Sequence, residues 1–314
     1  MTTKSPKLTF PASGIRGALI ACIALALCVI SHAEPAGDRS YPIKLDFPEK
    51  VGMKISLEAR TTEKVHTVVT IPGANPVVRD RDSAVTLQGV VETLAVDSKG
   101  RPIKRSCTIK DFSKNDGTQI LPAGSVVIAD ATGKPEQGKK YVMAAYTLKD
   151  GTLTPEQVTA LTLVFNAHTY QDATDDAVYG TDKPQKVGGT WPINRDLTAA
   201  RLPLPAKPEN VTGEFTLSGI TKAAGKDCLQ IKGSFSCDKF QPKLPPKWNV
   251  TATKLEAHMS HLIPIDGSAT RPANSIEMHM NVSGNATRPD GTLETMETSA
   301  TIVRKTSKSL LPGD

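Results

Sequence analysis

Aromatic residues are scarce: the 314-residue chain carries 2 Trp, 5 Tyr and 7 Phe, only 4% of its length. A protein that holds nucleic acid by stacking bases needs more of them. Charge of one sign is equally thin. The formal net charge is +6, and Lys4, Lys7 and Arg16 of that surplus lie at the extreme N-terminus. A small, unclustered excess excludes a phosphate-backbone footprint, so no nucleic-acid partner is expected. Cysteine is limited to 5 residues, and Cys22 and Cys28 sit in the N-terminal apolar run. The remaining three, Cys107, Cys228 and Cys237, allow at most one bridge, which excludes a disulfide scaffold. Cys228 and Cys237 share one alternating stretch, and a rise of ~3.3 Å per residue keeps them beyond bridging reach. Buried free thiols are the expectation. Finally, no hydrophobic run after Ile30 approaches the roughly 20 residues of a transmembrane helix.

The first 33 residues read as an export signal. A sparse basic region leads into the apolar run Ala18–Ile30, and Ser31-His32-Ala33 offers small residues for cleavage after Ala33. Leu19-Ile20-Ala21-Cys22 also fits the pattern before a lipid-modified cysteine. Cutting there would leave Ile23–Ile30 as an apolar N-terminus, so simple secretion to the periplasm or the exterior is preferred.

Beyond that signal the dominant period is two. Lys54–Ala59, the set Val65, Thr67, Val69 and Ile71, Ile103–Ile109, Leu229–Phe235 and Ile276–Val282 all alternate apolar with polar residues. Turn residues bound them, as in Asp97-Ser-Lys-Gly100. The fold class is therefore mainly β: long antiparallel hairpins in a curved sheet or half-barrel, one face dry and one wet. One or two short helices are expected. Thr154-Pro-Glu-Gln157 has a cap, a proline at the first helical position and a reciprocal glutamine. Val158, Leu161 and Phe165 would form its buried stripe. A second helix is expected over Asp196–Leu202, ended by Pro203.

Two similar halves are expected, residues 34–180 and 181–314. Phe47-Pro-Glu-Lys-Val-Gly-Met-Lys-Ile55 matches Lys183-Pro-Gln-Lys-Val-Gly-Gly-Thr-Trp191 in its shared Lys-Val-Gly, and a hairpin follows each: Val85–Phe112 and Val211–Phe235. The pattern Pro184-Gln-Lys-Val-Gly-Gly-Thr-Trp191 with repeated long hairpins resembles a group of uncharacterised exported bacterial β proteins. More distantly, the pattern is similar to the curved half-barrel of periplasmic lipoprotein carriers. That second resemblance implies a sheet wrapped around an apolar ligand cavity.

Catalytic and cofactor motifs are missing. There is no Gly-x-Ser-x-Gly elbow, His-Glu-x-x-His helix or Gly-x-Gly-x-x-Gly loop, so no catalytic, cofactor-binding or metal residue is assigned. Gly133–Lys139 mimics a phosphate loop, but Lys140 stands where Ser or Thr would meet magnesium; a basic turn is expected. Asp172, Asp175, Asp176 and Asp182 lack the spacing of a calcium loop and read as a solvated acidic loop. His258 and His261 fall on opposite faces of one strand. Pairing Thr251–Ile263 with Ser275–Asn285 on their apolar faces predicts His258 opposite His279 and Ser260 opposite Glu277. Two imidazoles and a carboxylate there could bind zinc, though an ordinary wet face is preferred. The sequons at Asn210, Asn249, Asn281 and Asn285 matter only in a eukaryotic secretory host.

The functional expectation is an exported, non-enzymatic binding or envelope-associated protein. Its partner would be an apolar small molecule or an envelope protein. A single curved sheet would leave a pocket lined by residues such as Leu57, Val69, Ile109, Ile231 and Met278; two facing sheets would leave none. The alternatives are a structural or adhesive surface protein and a hydrolase with a dispersed site.

Overall fold

A computed structural model describes residues 39–134, 141–165, 168–170, 173–202, 204–242, 244, 247–268 and 270–311. The expected export signal, residues 1–33, and most of the expected Gly133–Lys139 turn lie outside these residues. Residues 38–314 form one compact unit. Its strands are β1 (Lys54–Thr70), β2 (Val77–Val96), β3 (Pro102–Lys114), β4 (Val126–Asp130), β5 (Tyr141–Met143), β6 (Ala145–Leu148), β7 (His168–Tyr170), β8 (Thr190–Pro192), β9 (Val211–Ala223), β10 (Lys226–Cys237), β11 (Trp248–Pro264), β12 (Ala273–Thr287) and β13 (Leu293–Leu310). Three short helices accompany them: α1 (Pro155–Val164), α2 (Asp175–Tyr179) and α3 (Arg195–Arg201).

Eleven strands make one curved, unclosed sheet in the order β6-β4-β3-β2-β1-β13-β12-β11-β10-β9-β8, while β5 pairs separately with β7. Every pairing is antiparallel. The first and last strands meet in the middle of the sheet: β1 lies against β13 with Leu57 opposite Lys308 and Thr61 opposite Arg304. One sheet, not a sandwich, is thus the architecture.

Alternation decides which face is covered. On β1 the buried residues are Ile55, Leu57, Ala59 and Thr61, every second position. Two separate apolar cores sit on that face. The first joins β1–β4 to α1 through residues such as Leu87, Ile109, Phe112 and Leu161. The second joins β8–β12 to α3 and the segment around Ile43 and Leu45, with Phe215, Leu217 and Ile231 fully buried.

Local chemistry explains the helices. The Thr154 side chain accepts from the Gln157 backbone N–H, and the Gln157 side chain reciprocates, the expected capping box. Leu161, Val164 and Phe165 are buried, and the Thr61 hydroxyl donates to the Leu163 carbonyl at 2.7 Å, tying α1 to β1. Val158 remains half-buried. Helix α3 is capped by Asn194 and stops at Leu202. Helix α2 is a correction: the residue pattern puts Asp175 and Asp176 in a solvated loop, whereas both open a helix. Thr174 caps it with its own side chain. Asp46, distant in sequence, also accepts from the Asp175 and Asp176 backbone N–H groups at 3.1 and 2.9 Å. Asp172 lies outside the described residues, and Asp182 is exposed.

The Lys-Val-Gly signature is a repeated turn. Gly52 and Gly188 have φ of 84° and 86°, a conformation that favours glycine. Met53 N–H donates to Lys50 C=O, and Gly189 N–H donates to Lys186 C=O. Each turn then docks on a strand by the same bond pair. Gly52 N–H donates to the Thr93 carbonyl and Thr93 N–H to the Met53 carbonyl; Gly188 N–H and Leu217 N–H do likewise with Leu217 and Gly189. The two continuations differ: one turn enters the 17-residue β1, and the other enters the 3-residue β8 leading into α3.

Candidate functional site: a cationic cleft between two cores

Between the two apolar cores, the covered face of the sheet turns polar. Inward positions of β13 run Ala300, Ile302, Arg304, Thr306, Lys308. Across the ladder these last three meet Thr61, Ala59 and Leu57 on β1. On β12, Arg304 faces Ile276 and Thr306 faces Asn274, and Asn274 in turn faces His261 of β11. A cleft of about 370 Å³ opens above this seam. Its floor is Ile55, Leu57, Ile276 and Asn274 with the three β13 residues. Its walls are Asp46–Glu49, the β2–β3 turn with Lys99 and Arg101, the end of α1, the start of α2, and Arg271.

The acids of the cleft are already engaged. Glu49 pairs with Arg105 and accepts the Thr93 hydroxyl at 2.6 Å. Asp175 pairs with Arg201 at 2.8 Å and with Arg271. Burial opposes ionisation of Asp175, but the Arg271 and Arg201 charges outweigh it and hold its carboxyl far below the usual range. Arg271 also donates through Nε to the Leu45 carbonyl at 3.1 Å. Asp46 is spent on the α2 N-terminus. Arg101 pairs outside the cleft lining with Asp97 at 2.6 Å.

Arg304 and Lys308 stand apart from this network. Neither forms an ion pair with a carboxylate among the described residues, and the buried Nε of Arg304 has no hydrogen-bond partner there. Burial lowers the Arg304 pKa. Lys308 retains some accessible surface, yet the protein closes on its ammonium. Burial, followed by the nearby Arg105 charge, pushes it down to about 8 against the pull of Glu49. The buried Nε of Arg105 and Oδ1 of Asn274 are likewise unpartnered among the described residues. A partly buried charge without a counter-charge is costly, so this concentration is unusual for a merely structural seam.

The residues singled out in the sequence distribute differently. Of the five expected pocket residues, only Leu57 lines the cleft. Ile109 and Ile231 are packed inside the two cores, Met278 packs on the second, and Val69 is half-buried. His258 and His261 do face opposite ways: His258 is exposed, and His261 is 5% exposed. Burial, aided by the Arg271 charge, lowers the His261 pKa to about 4, and its ring stacks on Phe215 with centroids 6.2 Å apart.

The expected β11–β12 register is corrected by two residues. His258 faces Glu277, Glu256 faces His279, and Ser260 faces Ser275. The apolar faces still match, with Leu255 opposite Met280 and Ala257 opposite Met278. A two-residue slip of this kind preserves side-chain facing, so alternation alone does not choose between the registers. His258 and His279 remain diagonal neighbours, with ring centroids 6.5 Å apart. His279 Nε2 lies 2.9 Å from Glu277 Oε1 and its Nδ1 lies 3.1 Å from the Thr301 hydroxyl. Among the described residues no group of three His, Cys, Asp or Glu side chains is arranged for a metal ion. Cys107, Cys228 and Cys237 are all buried and free, as expected.

No signal in the sequence points to Arg304 or Lys308. Arg304–Ser309 is polar at every position, so its inward face is defined only by the pairing with β1.

No family model matches the chain, and no curated protein matches it. Among solved structures, lipovitellin, studied for its lipid–protein interactions, is similar at 9% identity and a TM-score of 0.33. The similarity covers 84% of this chain and 26% of that one, so the chain spans about a quarter of lipovitellin. The outer membrane protein AlkL aligns at 8% identity and a TM-score of 0.23, covering 88% of this chain and 99% of AlkL. An outer membrane channel from Pseudomonas putida F1 aligns at 8% identity and a TM-score of 0.19, covering 85% and 99%. Among the described residues no helix is long and apolar enough to cross a membrane.

Proposed function

We propose that the protein is an exported, non-enzymatic binding protein of the cell envelope that holds a small molecule with an apolar part in the central cleft. One observation carries this reading: the covered face is filled by two dry cores except at the seam. There a cleft of about 370 Å³ keeps Ile55, Leu57, Val91, Ile276 and Phe165 among its lining. That volume falls within the roughly 300–1,000 Å³ typical of small-molecule sites. The non-enzymatic part rests on the lining chemistry. Its acids are held in ion pairs or a helix cap, and its hydroxyls, Thr174, Thr270 and Thr306, have no hydrogen-bonded base among the described residues.

A structural or adhesive role is the second reading. It is favoured by the uncovered outer ends of the central hairpins, where Val77, Val78 and Leu293 are 47%, 52% and 49% exposed. Titrating the full chain with the neutral fluorescent probe N-phenylnaphthylamine separates the two. Saturable binding, weakened by Ile276→Trp at unchanged melting temperature, supports the binding reading. Linear, unsaturable uptake leaves the cleft without a ligand and favours the second.

A further inference from the structure

Arg304 and Lys308 are four residues apart on β13 and point to the same side, about 13 Å apart at the backbone by strand rise. Thr306 lies between them on that side, with Asn274 beside it on β12. Both cationic side chains are long enough to converge over Thr306. Every acid that could serve them is committed elsewhere: Glu49 to Arg105, Asp175 to Arg201 and Arg271, Asp46 to the backbone of α2. On the same floor, Leu57 flanks Lys308 and Ile276 flanks Arg304. The site is therefore amphipathic at short range, with a cationic centre and apolar margins.

Resting on the cleft as the binding site, we infer that its ligand is an anionic amphiphile. The carboxylate or phosphate head is held by Arg304, Lys308 and the Thr306 hydroxyl, and the hydrocarbon lies on Leu57 and Ile276. The donor chemistry suits such a head. A guanidinium offers fork-like paired N–H donors, an ammonium a point charge, and both bonds strengthen where water is partly excluded. The unpartnered Arg304 Nε is one of the donors such a head would satisfy. Without an anion the two charges are destabilising where they stand, and a counter-charge from the ligand reverses that cost. The rest of the covered face offers no comparable pairing of free cation and apolar surface among the described residues: the two cores are filled by side chains.

The test uses the full chain and displacement of N-phenylnaphthylamine by four competitors: dodecanoate, dodecyl phosphate, dodecanol and inorganic phosphate. The expected result is that both anionic amphiphiles displace the probe at concentrations at least tenfold lower than dodecanol or inorganic phosphate. In the double variant Arg304→Met, Lys308→Met the preference over dodecanol should collapse to less than about twofold while probe binding persists. Lys308→Met alone serves as the milder variant and should lose part of the preference. Equal displacement by dodecanol overturns the anionic head, and so does a double variant that keeps the preference. Inorganic phosphate acting as well as dodecyl phosphate overturns the amphiphile and leaves a free-anion site. These failures leave probe binding intact, whereas absence of saturable probe binding and of all displacement means that the cleft reading itself has failed.

Discussion

Replacing Lys308 by Met should stabilise the protein at neutral pH, a direction opposite to that of most substitutions at a partly buried position. The native environment holds the Lys308 ammonium at about 8, against 10.5 for an unperturbed lysine. At about 1.4 kcal/mol per pKa unit, keeping it charged at pH 7 costs up to about 3 kcal/mol. Lys308 retains some solvent contact, so about 1–2 kcal/mol is the more realistic figure. Methionine keeps the length and flexibility of the stem, and therefore most of the packing against Leu57, while removing the charge. The pH sign comes from proton counting. Between about 8 and 10.5 the unfolded chain still holds a proton that the native state has released, so wild-type stability rises with pH across that window. The advantage of Lys308→Met should be full below pH 8 and should vanish above about 10.5. The charged groups facing the ammonium are Arg105, Arg271, Glu49 and Asp175. Paired thermal melts at pH 7 and pH 10 read the effect, as a rise of roughly 3–6 °C at pH 7 that shrinks at pH 10. A variant that melts lower than wild type at pH 7, or an advantage of the same size at both pH values, would refute the reasoning.

Three further outcomes are expected. His261 stays neutral in the native state down to about 4, so stability should fall as pH drops from about 6.5 to 4, by up to about 3 kcal/mol. His261→Phe should flatten that limb in urea titrations at pH 7 and 4.5, and an unchanged slope would count against it. Gly233→Ala should cost about 1–3 kcal/mol in the same assay, because a Cβ there would sit 2.3 Å from the Phe215 ring at the centre of the Trp191, Tyr179 and His261 cluster; a neutral effect would mean that the ring is free to move. Cys107, whose thiol burial pushes up to about 12, and the equally buried Cys228 and Cys237 should resist iodoacetamide in the native protein and react in urea, as peptide mapping would reveal.

Alternation with a period of two is a local property. It makes the strand content, the dry face of β1, the burial of Cys107 and the opposed facing of His258 and His261 legible from the residues alone. Capping is local too. Thr154 and Gln157 lie within one helical turn and carry both halves of their motif, so α1 is readable, and α3 nearly so. Helix α2 is not, because part of its cap comes from Asp46, about 130 residues earlier in the chain. The β11–β12 register escapes for a different reason: slips of two residues leave every side chain on its own face, and only the turn and the neighbouring strands choose among them. The cleft lies furthest from view. Nothing near Arg304 or Lys308 says which side of β13 is covered, since polar residues occupy both. That is decided when β13 pairs with β1 at Leu57 and Thr61, more than 240 positions away, and so carries two cations under the covering segments. A chain's own sequence sets which residues alternate and where helices begin; which charges end up sharing a half-dry space depends on contacts that exist only once the sheet has formed.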